Sequence, residues 1–163
     1  MKELIATGER QKIVPHLWFD DQAKEAARFY TSIFEGSRIT QETTIHDTPS
    51  GSVDVVVFEL FGQEFMAISA GPLFQFNESI SFVIKCDSQE EIDRYWAALT
   101  RDGGEEGQCG WLKDKFGLSW QISAAAMDEM MRDKDPERVA SVVQTFLQMT
   151  KLDIAQLQEA FER

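Results

Sequence analysis

Apolar residues change their spacing along this chain in a regular order. Ile13 to Phe19 is a short apolar run of strand length, and Asp20 and Asp21 after it carry acceptors that start helices. From Ala23 the spacing turns helical. Ala26, Phe29, Tyr30 and Ile33 fall at i, i+3, i+4 and i+7, with Lys24, Glu25 and Arg28 on the other side. Glu35-Gly36 ends that helix. Ser37 to Ile45 reads as a strand and Thr48-Pro49-Ser50-Gly51 as a turn. Val53 to Leu60 is a β-branched strand, and Phe61-Gly62-Gln63 links it tightly to Glu64 to Ser69. The predicted order is strand, helix and three strands.

That order then returns. Ile80 to Cys86 reads as a strand, Asp87 and Ser88 as cap candidates, and Ile92, Tyr95, Trp96 and Leu99 as a helical stripe. Gly103-Gly104 stops the helix, and three short strands follow near Glu105 to Gln108, Gly110 to Lys113 and Leu118 to Ser123. Laid over one another without a gap, Asp21, Ala26, Phe29, Tyr30 and Ile33 match Asp87, Ile92, Tyr95, Trp96 and Leu99. Repetition of a whole supersecondary unit outweighs any single local propensity. The expected fold is α+β: tandem βαβββ modules at about 13–70 and 80–123, within one domain spanning 1–126. A helical extension is expected over 127–163. Asp135-Pro136-Glu137 starts one helix, striped by Val139, Val142, Val143 and Phe146. Asp153 opens another, carrying Ile154, Leu157 and Phe161. Such stripes need cover, from a sheet edge or from a second subunit.

Composition narrows the partners. A chain of 163 residues that is 43% hydrophobic and 27% charged has the make-up of a globular domain. Its formal net charge of −12 repels phosphate backbones and anionic lipid, which argues against nucleic acid and membrane surfaces as partners. Met1 to Gln11 lacks the apolar run of a signal peptide, and no stretch of roughly 18 apolar residues is present to span a bilayer. A cytoplasmic location is expected. Cys86 and Cys109 are the two cysteines, too few for a disulfide framework.

Three strings sharpen the picture: Pro15-His16-Leu17-Trp18-Phe19-Asp20, Gly71-Pro72-Leu73-Phe74-Gln75-Phe76-Asn77 and Gln108-Cys109-Gly110-Trp111-Leu112-Lys113-Asp114. Together with the tandem βαβββ order, they resemble the PhnB-like subfamily of the vicinal-oxygen-chelate superfamily, the glyoxalase and bleomycin-resistance group. That subfamily is often labelled a 3-demethylubiquinone-9 3-methyltransferase domain. The resemblance covers nearly the whole chain, including Leu147-Gln148-Met149 and Lys151-Leu152-Asp153. It implies eight strands in two curved mixed sheets, a concave pocket for a small-molecule ligand, and a homodimer. It implies no particular reaction. The methyltransferase label finds little support in the residues, because the first strand runs into Asp20-Asp21-Gln22-Ala23 with no glycine to cradle a cofactor phosphate.

Metal-dependent members of the superfamily resemble one another in placing His or Glu on the first and last strands of each module. Strand alternation and the ungapped repeat put Pro15, Met66, Ser81 and Gln121 at those positions here. Amide, hydroxyl and thioether groups are weak ligands for a divalent ion, so neither a metal nor another cofactor is expected. His16 is the complication. The repeat aims it at the helix layer as a structural histidine, but a slip of one residue or a bulge would turn it to the pocket as a base or donor. His46, before a turn, reads as solvated. Trp18 and Trp120 read as core.

Cys109, Trp111 and Lys113 are expected to share a strand face. A thiol, an indole donor and an ammonium there, with Ser81, Lys85, Gln121 and His16, suit a small anionic or carbonyl-bearing metabolite. A nearby Lys would also activate the Cys109 thiol as a nucleophile. The plain alternative is a buried cysteine, a core Trp and a solvated Lys. Phe74 and Phe76 either cap the pocket or close the core. Three readings follow: binding or processing of a small molecule without metal, a metal-dependent lyase or dioxygenase of the same fold, and a non-catalytic dimeric module.

Overall fold

The computed structural model describes residues 11–163; the stretch read above as free of an apolar leader lies, apart from Gln11, outside them. The first module runs β1 (His16–Phe19), α1 (Ala23–Ile33), β2 (Arg38–Thr48), β3 (Gly51–Leu60) and β4 (Gln63–Ser69). The second runs β5 (Phe82–Cys86), α2 (Gln89–Thr100), β6 (Glu105–Glu106), β7 (Trp111–Lys113) and β8 (Ser119–Ala124). Each makes a four-stranded mixed sheet, ordered β1-β4-β3-β2 and β5-β8-β7-β6. In both, the first strand pairs parallel with the last and the remaining pairs are antiparallel. The repeat seen in the sequence is thus a repeat of topology.

The chain divides into two compact units, one ending at Gln75 and the other Phe76–Arg163. In the first, α1 buries Ala23, Ala26, Ala27, Phe29 and Tyr30. Three alanines let the helix approach the sheet closely, and the aromatic rings fill what remains. Tyr30 stacks on Phe58 at 6.2 Å between ring centres, and Phe58 on Phe65 at 5.5 Å. No side chain caps α1 from its own preceding residue; instead Ser69 Oγ, at the end of β4, accepts from the Ala23 N–H at 2.9 Å. In the second unit α2 buries Ile92, Tyr95, Trp96 and Leu99, and the sheet meets it with Ile84, Leu112, Trp120 and Ile122. Ser88 caps it, accepting from the Glu91 N–H at 3.2 Å. Trp120 is core, as expected.

The ungapped repeat nevertheless fails in β1. Leu17 and Phe19 are buried under α1, while His16 is exposed and Trp18 half-buried on the face turned away from the helix. The cause is one residue. Three residues, Asp20 to Gln22, join β1 to α1, whereas Asp87 and Ser88 alone join β5 to α2. Aligning the helices therefore shifts β1 by one position, and in a strand one position changes the face. Trp18 is accordingly not core: its Nε1 donates to the Gly71 carbonyl at 2.8 Å, and its ring meets Phe74 edge-on at 5.0 Å.

The C-terminal extension is built into the second unit. β8 passes directly into α3 (Ala125–Met130), followed by α4 (Pro136–Phe146) and α5 (Ile154–Glu162). The Cys109 and Gly110 N–H groups donate to the Met149 and Thr150 carbonyls, both at 2.7 Å. The Gln89 side chain donates to the Leu152 carbonyl and accepts from the Ile154 N–H. Val142, Leu152, Leu157 and Ala160 are buried, so the stripe of α5 is already covered within the chain, while Leu147 after α4 stays exposed. Among the described residues no helix is long and apolar enough to cross a membrane.

Candidate functional site

Register decides which side chains of the second sheet can meet a ligand. Val83 lies opposite Gln121 and Lys85 opposite Ser123 between β5 and β8. Trp111 lies opposite Gln121 and Lys113 opposite Ser119 between β7 and β8, and Glu105 of β6 faces Lys113. Leu112, Trp120, Ile122 and Ile84 take the helix side, so Trp111, Lys113, Ser119, Gln121 and Val83 share the far face. Ser81 extends that row, its Oγ accepting from Gln121 Nε2 at 2.8 Å.

Part of this face is concave. A hollow of about 230 Å³ is lined by Trp111, Lys113 and Ser119 together with Glu78, Glu105 and Glu106. Lys113 forms an ion pair with Glu78. The hydrogen bond that Lys113 donates to Glu78, and the charges of Glu78 and Glu105, hold the Lys113 ammonium above its ordinary pKa, and the Glu78 carboxyl is held correspondingly below its own. Lys113 is therefore a fixed cation and hydrogen-bond donor, unsuited to act as a neutral base. Glu106 is partly engaged already, accepting from Trp96 Nε1 at 2.7 Å. Ser119 differs from all of these: its residue is only 1% exposed, and its hydroxyl has no hydrogen-bond partner.

The floor of this site is held by a buried carboxylate. Asp114, 2% exposed, accepts from the Phe116 and Leu118 N–H groups through Oδ1 and from Trp120 Nε1 through Oδ2. It thereby ties the turn between β7 and β8 to the core side of the sheet. That turn sets the register that places Lys113 beside Ser119.

Of the residues singled out in the sequence, Ser81, Trp111, Lys113 and Gln121 share this face, but of the four it is Trp111 and Lys113 that line the hollow. Lys85 shares the face but lies at its other end, paired with Asp128 of α3 at 2.5 Å. Cys109 does not share a strand face with Trp111 and Lys113. It occupies a turn at φ +58°, a left-handed conformation that breaks the alternation two residues before β7 would need it. His16 is on the far face of the first sheet, beside Met66, and not aimed at the helix layer. Sequence reasoning passed over Ser119, although alternation from Gln121 points to it. Glu78 carried no signal, since it sits in a loop shaped by Asn77, whose Oδ1 accepts from the Ser79 N–H.

The strand phase also revises the metal-ligand positions. His16 replaces Pro15 beside Met66 in the first sheet, and Val83 replaces Ser81 beside Gln121 in the second. One imidazole, a thioether, an isopropyl group and an amide do not make a divalent-metal site, which needs several charged or basic donors. Among the described residues no three His, Cys, Asp or Glu side chains gather where they could hold a metal ion. The residues do not fit the metal that the superfamily implies.

Comparison with known proteins places the chain. None of the curated proteins matches it. Among solved structures, the PhnB protein of Bacillus cereus is 34% identical, covering 71% of this chain and 100% of its own, at a TM-score of 0.64. Protein PA1353 of Pseudomonas aeruginosa shares the fold at 20% identity and a TM-score of 0.59, covering 71% of this chain and 98% of its own. FosX of Listeria monocytogenes, a fosfomycin resistance protein, shares it at 16% identity and a TM-score of 0.56, over 77% of this chain and 100% of its own. FosX has also been solved in complex with Mn(II) and a sulfate ion. The sequence model of the family described as 3-demethylubiquinone-9 3-methyltransferase matches residues 11–123. With two mixed βαβββ sheets and that match, the chain belongs to this PhnB-like family of the glyoxalase, or vicinal-oxygen-chelate, superfamily.

Proposed function

We propose that the protein binds a small carbonyl-bearing metabolite in the hollow of the second sheet, without a resident metal. The observation that carries this is Ser119. A buried hydroxyl without a partner costs about 1–3 kcal/mol, and a folded chain keeps such a group where something else completes it. A ligand oxygen placed between the Ser119 hydroxyl and the Lys113 ammonium would accept a hydrogen bond from each. Trp111 offers the apolar wall, and the Gln121–Ser81 pair offers an amide and a hydroxyl beside it. Such donors polarise a carbonyl as they hold it.

Methyl transfer has no support in this site. The sheets are mixed rather than doubly wound, and β1 enters α1 without a glycine. A metal-dependent lyase or dioxygenase requires ligands that these strands do not supply. A cytoplasmic homodimer completes the proposal, the dimer resting on the family resemblance and on the exposed apolar residue Leu147.

Native mass spectrometry of protein purified gently from cells tests the reading. The expected result is a retained small molecule, lost or reduced in Ser119→Ala, and no stoichiometric transition metal. About one Zn, Ni, Fe or Mn per chain on elemental analysis would overturn the metal-free part. Ligand density away from Trp111 and Lys113 would overturn the site.

A further inference from the structure

Lys113 makes the hollow look suited to anions, but its surroundings reverse that sign. Three carboxylates, Glu78, Glu105 and Glu106, line the same 230 Å³ as the one ammonium, so negative charge outweighs positive there. An arriving anion would have to displace Glu78 from Lys113, in competition with a carboxylate tethered on the same chain and hence at high effective concentration. It would then lie beside the displaced Glu78 and beside Glu105. The net charge of −12 on the whole chain works in the same direction.

Resting on the site proposed above, we infer that the hollow selects ligands carrying a cationic nitrogen, held by Glu78 and Glu105 across the face of Trp111 while an oxygen of the same ligand meets Ser119. An acidic cluster alone would not make a site. Here the independent observation is the Ser119 hydroxyl, 1% exposed and unpartnered, in the same lining. Trp111 lines the same hollow, and an indole attracts a cation placed over its ring, because its negative potential lies over the face. Glu105 is positioned for this by the ladder itself, as the cross-strand neighbour of Lys113. Its carboxylate thus lies on the rim of the hollow whether or not a ligand is present.

Three probes of one shape separate the outcomes: benzylamine as the ammonium, benzyl alcohol as the neutral, and benzoate. Binding is read by two-dimensional NMR, following the Trp111 indole and the Ser119 and Lys113 amides of the full chain. Benzylamine is expected to bind at least about tenfold more tightly than benzoate, equivalent to ~1.4 kcal/mol. That ratio should shrink in 0.5 M salt, because the groups are partly exposed and therefore screened. Glu105→Gln and Glu78→Gln should each lower benzylamine affinity several-fold, with Glu78→Gln raising that of benzoate. Benzoate binding tightest at Trp111 in the unchanged protein would overturn the charge selection and leave the site standing. Shifts from all three probes that bypass Trp111 and Ser119 would overturn the site, and the selection with it.

Discussion

Ser119 carries a hydroxyl that folding removes from water and leaves without a partner. Replacing it by alanine deletes the orphan group and keeps the strand. Ser119→Ala should therefore raise stability by about 1 kcal/mol, a Tm gain of roughly 3 °C for a chain of this size. Calorimetry checks it, and a loss of stability would show that the hydroxyl is satisfied in solution. The opposite case is Asp114, whose carboxylate accepts from two backbone N–H groups and Trp120 Nε1 inside the core. Asp114→Asn turns an amide NH2 toward donors that need an acceptor, and should cost about 2–3 kcal/mol. The cysteines separate in the same way. Burial, with the charges of Glu91 and Asp87, pushes the Cys86 thiol up to about 12, so it holds no thiolate near neutral pH. Alkylation of the native protein should mark Cys109 alone, and Cys86 only after denaturant is added. At this scale the sequence was a fair guide wherever alternation governs, as for Trp111, Lys113 and Gln121. It failed where a backbone angle intervenes, as at Cys109.

The elements were legible because each announces its own period. Helical stripes at Ala26 to Ile33 and Ile92 to Leu99 match α1 and α2, and all eight strands lie within a few residues of their sequence limits. What pattern could not carry is phase across a connection. The three residues between β1 and α1 against two between β5 and α2 are invisible to helix alignment, yet they turn His16 and Trp18 to the other face. Joints between elements also hold the stability that pattern hides. Gly110 sits at φ +78°, and a Cβ there would lie 2.6 Å from the Ile122 carbonyl oxygen and 2.7 Å from Leu152 Cδ1. Neither the strand backbone nor a buried leucine has room to yield. Gly110→Ala should cost at least about 2 kcal/mol through strain and overpacking, read as a lower denaturation midpoint. Asp153 shows the effect at a helix start, accepting from the Gln156 N–H at 3.0 Å. Asp153→Ala should cost about 1 kcal/mol. The same hydrogen bonds hold the Asp153 carboxyl below its usual 3.8. A depressed carboxyl stabilises above that value, so this contribution is complete near neutrality and is lost as pH falls below about 4.

At the scale of the whole molecule, the last eleven residues decide between two accounts of the C-terminal helices. The sequence pattern allows their apolar stripes to serve either a second subunit or the chain itself. The structure assigns α5 to the chain: Leu157 and Ala160 are buried, Ser141 Oγ donates to the Ala160 carbonyl, and Arg138 Nε donates to that of Phe161. The Arg138 guanidinium also lies 3.8 Å over the Phe161 ring. Upstream, Leu152 packs against Gly110, which immediately precedes β7 and so bears on the strand that carries Trp111 and Lys113. Deleting Asp153 to Arg163 removes two buried apolar side chains and the cover of Val142. At about 1.5–3 kcal/mol for a large apolar side chain, less for alanine, the loss approaches the whole stability of a small domain. The truncated chain should therefore melt far lower and aggregate, and the Trp111 NMR signal should lose its dispersion with it. If α5 served only a second subunit, the truncated chain would instead remain folded with an unchanged Tm and light scattering would report a monomer. That outcome would return α5 to the interface.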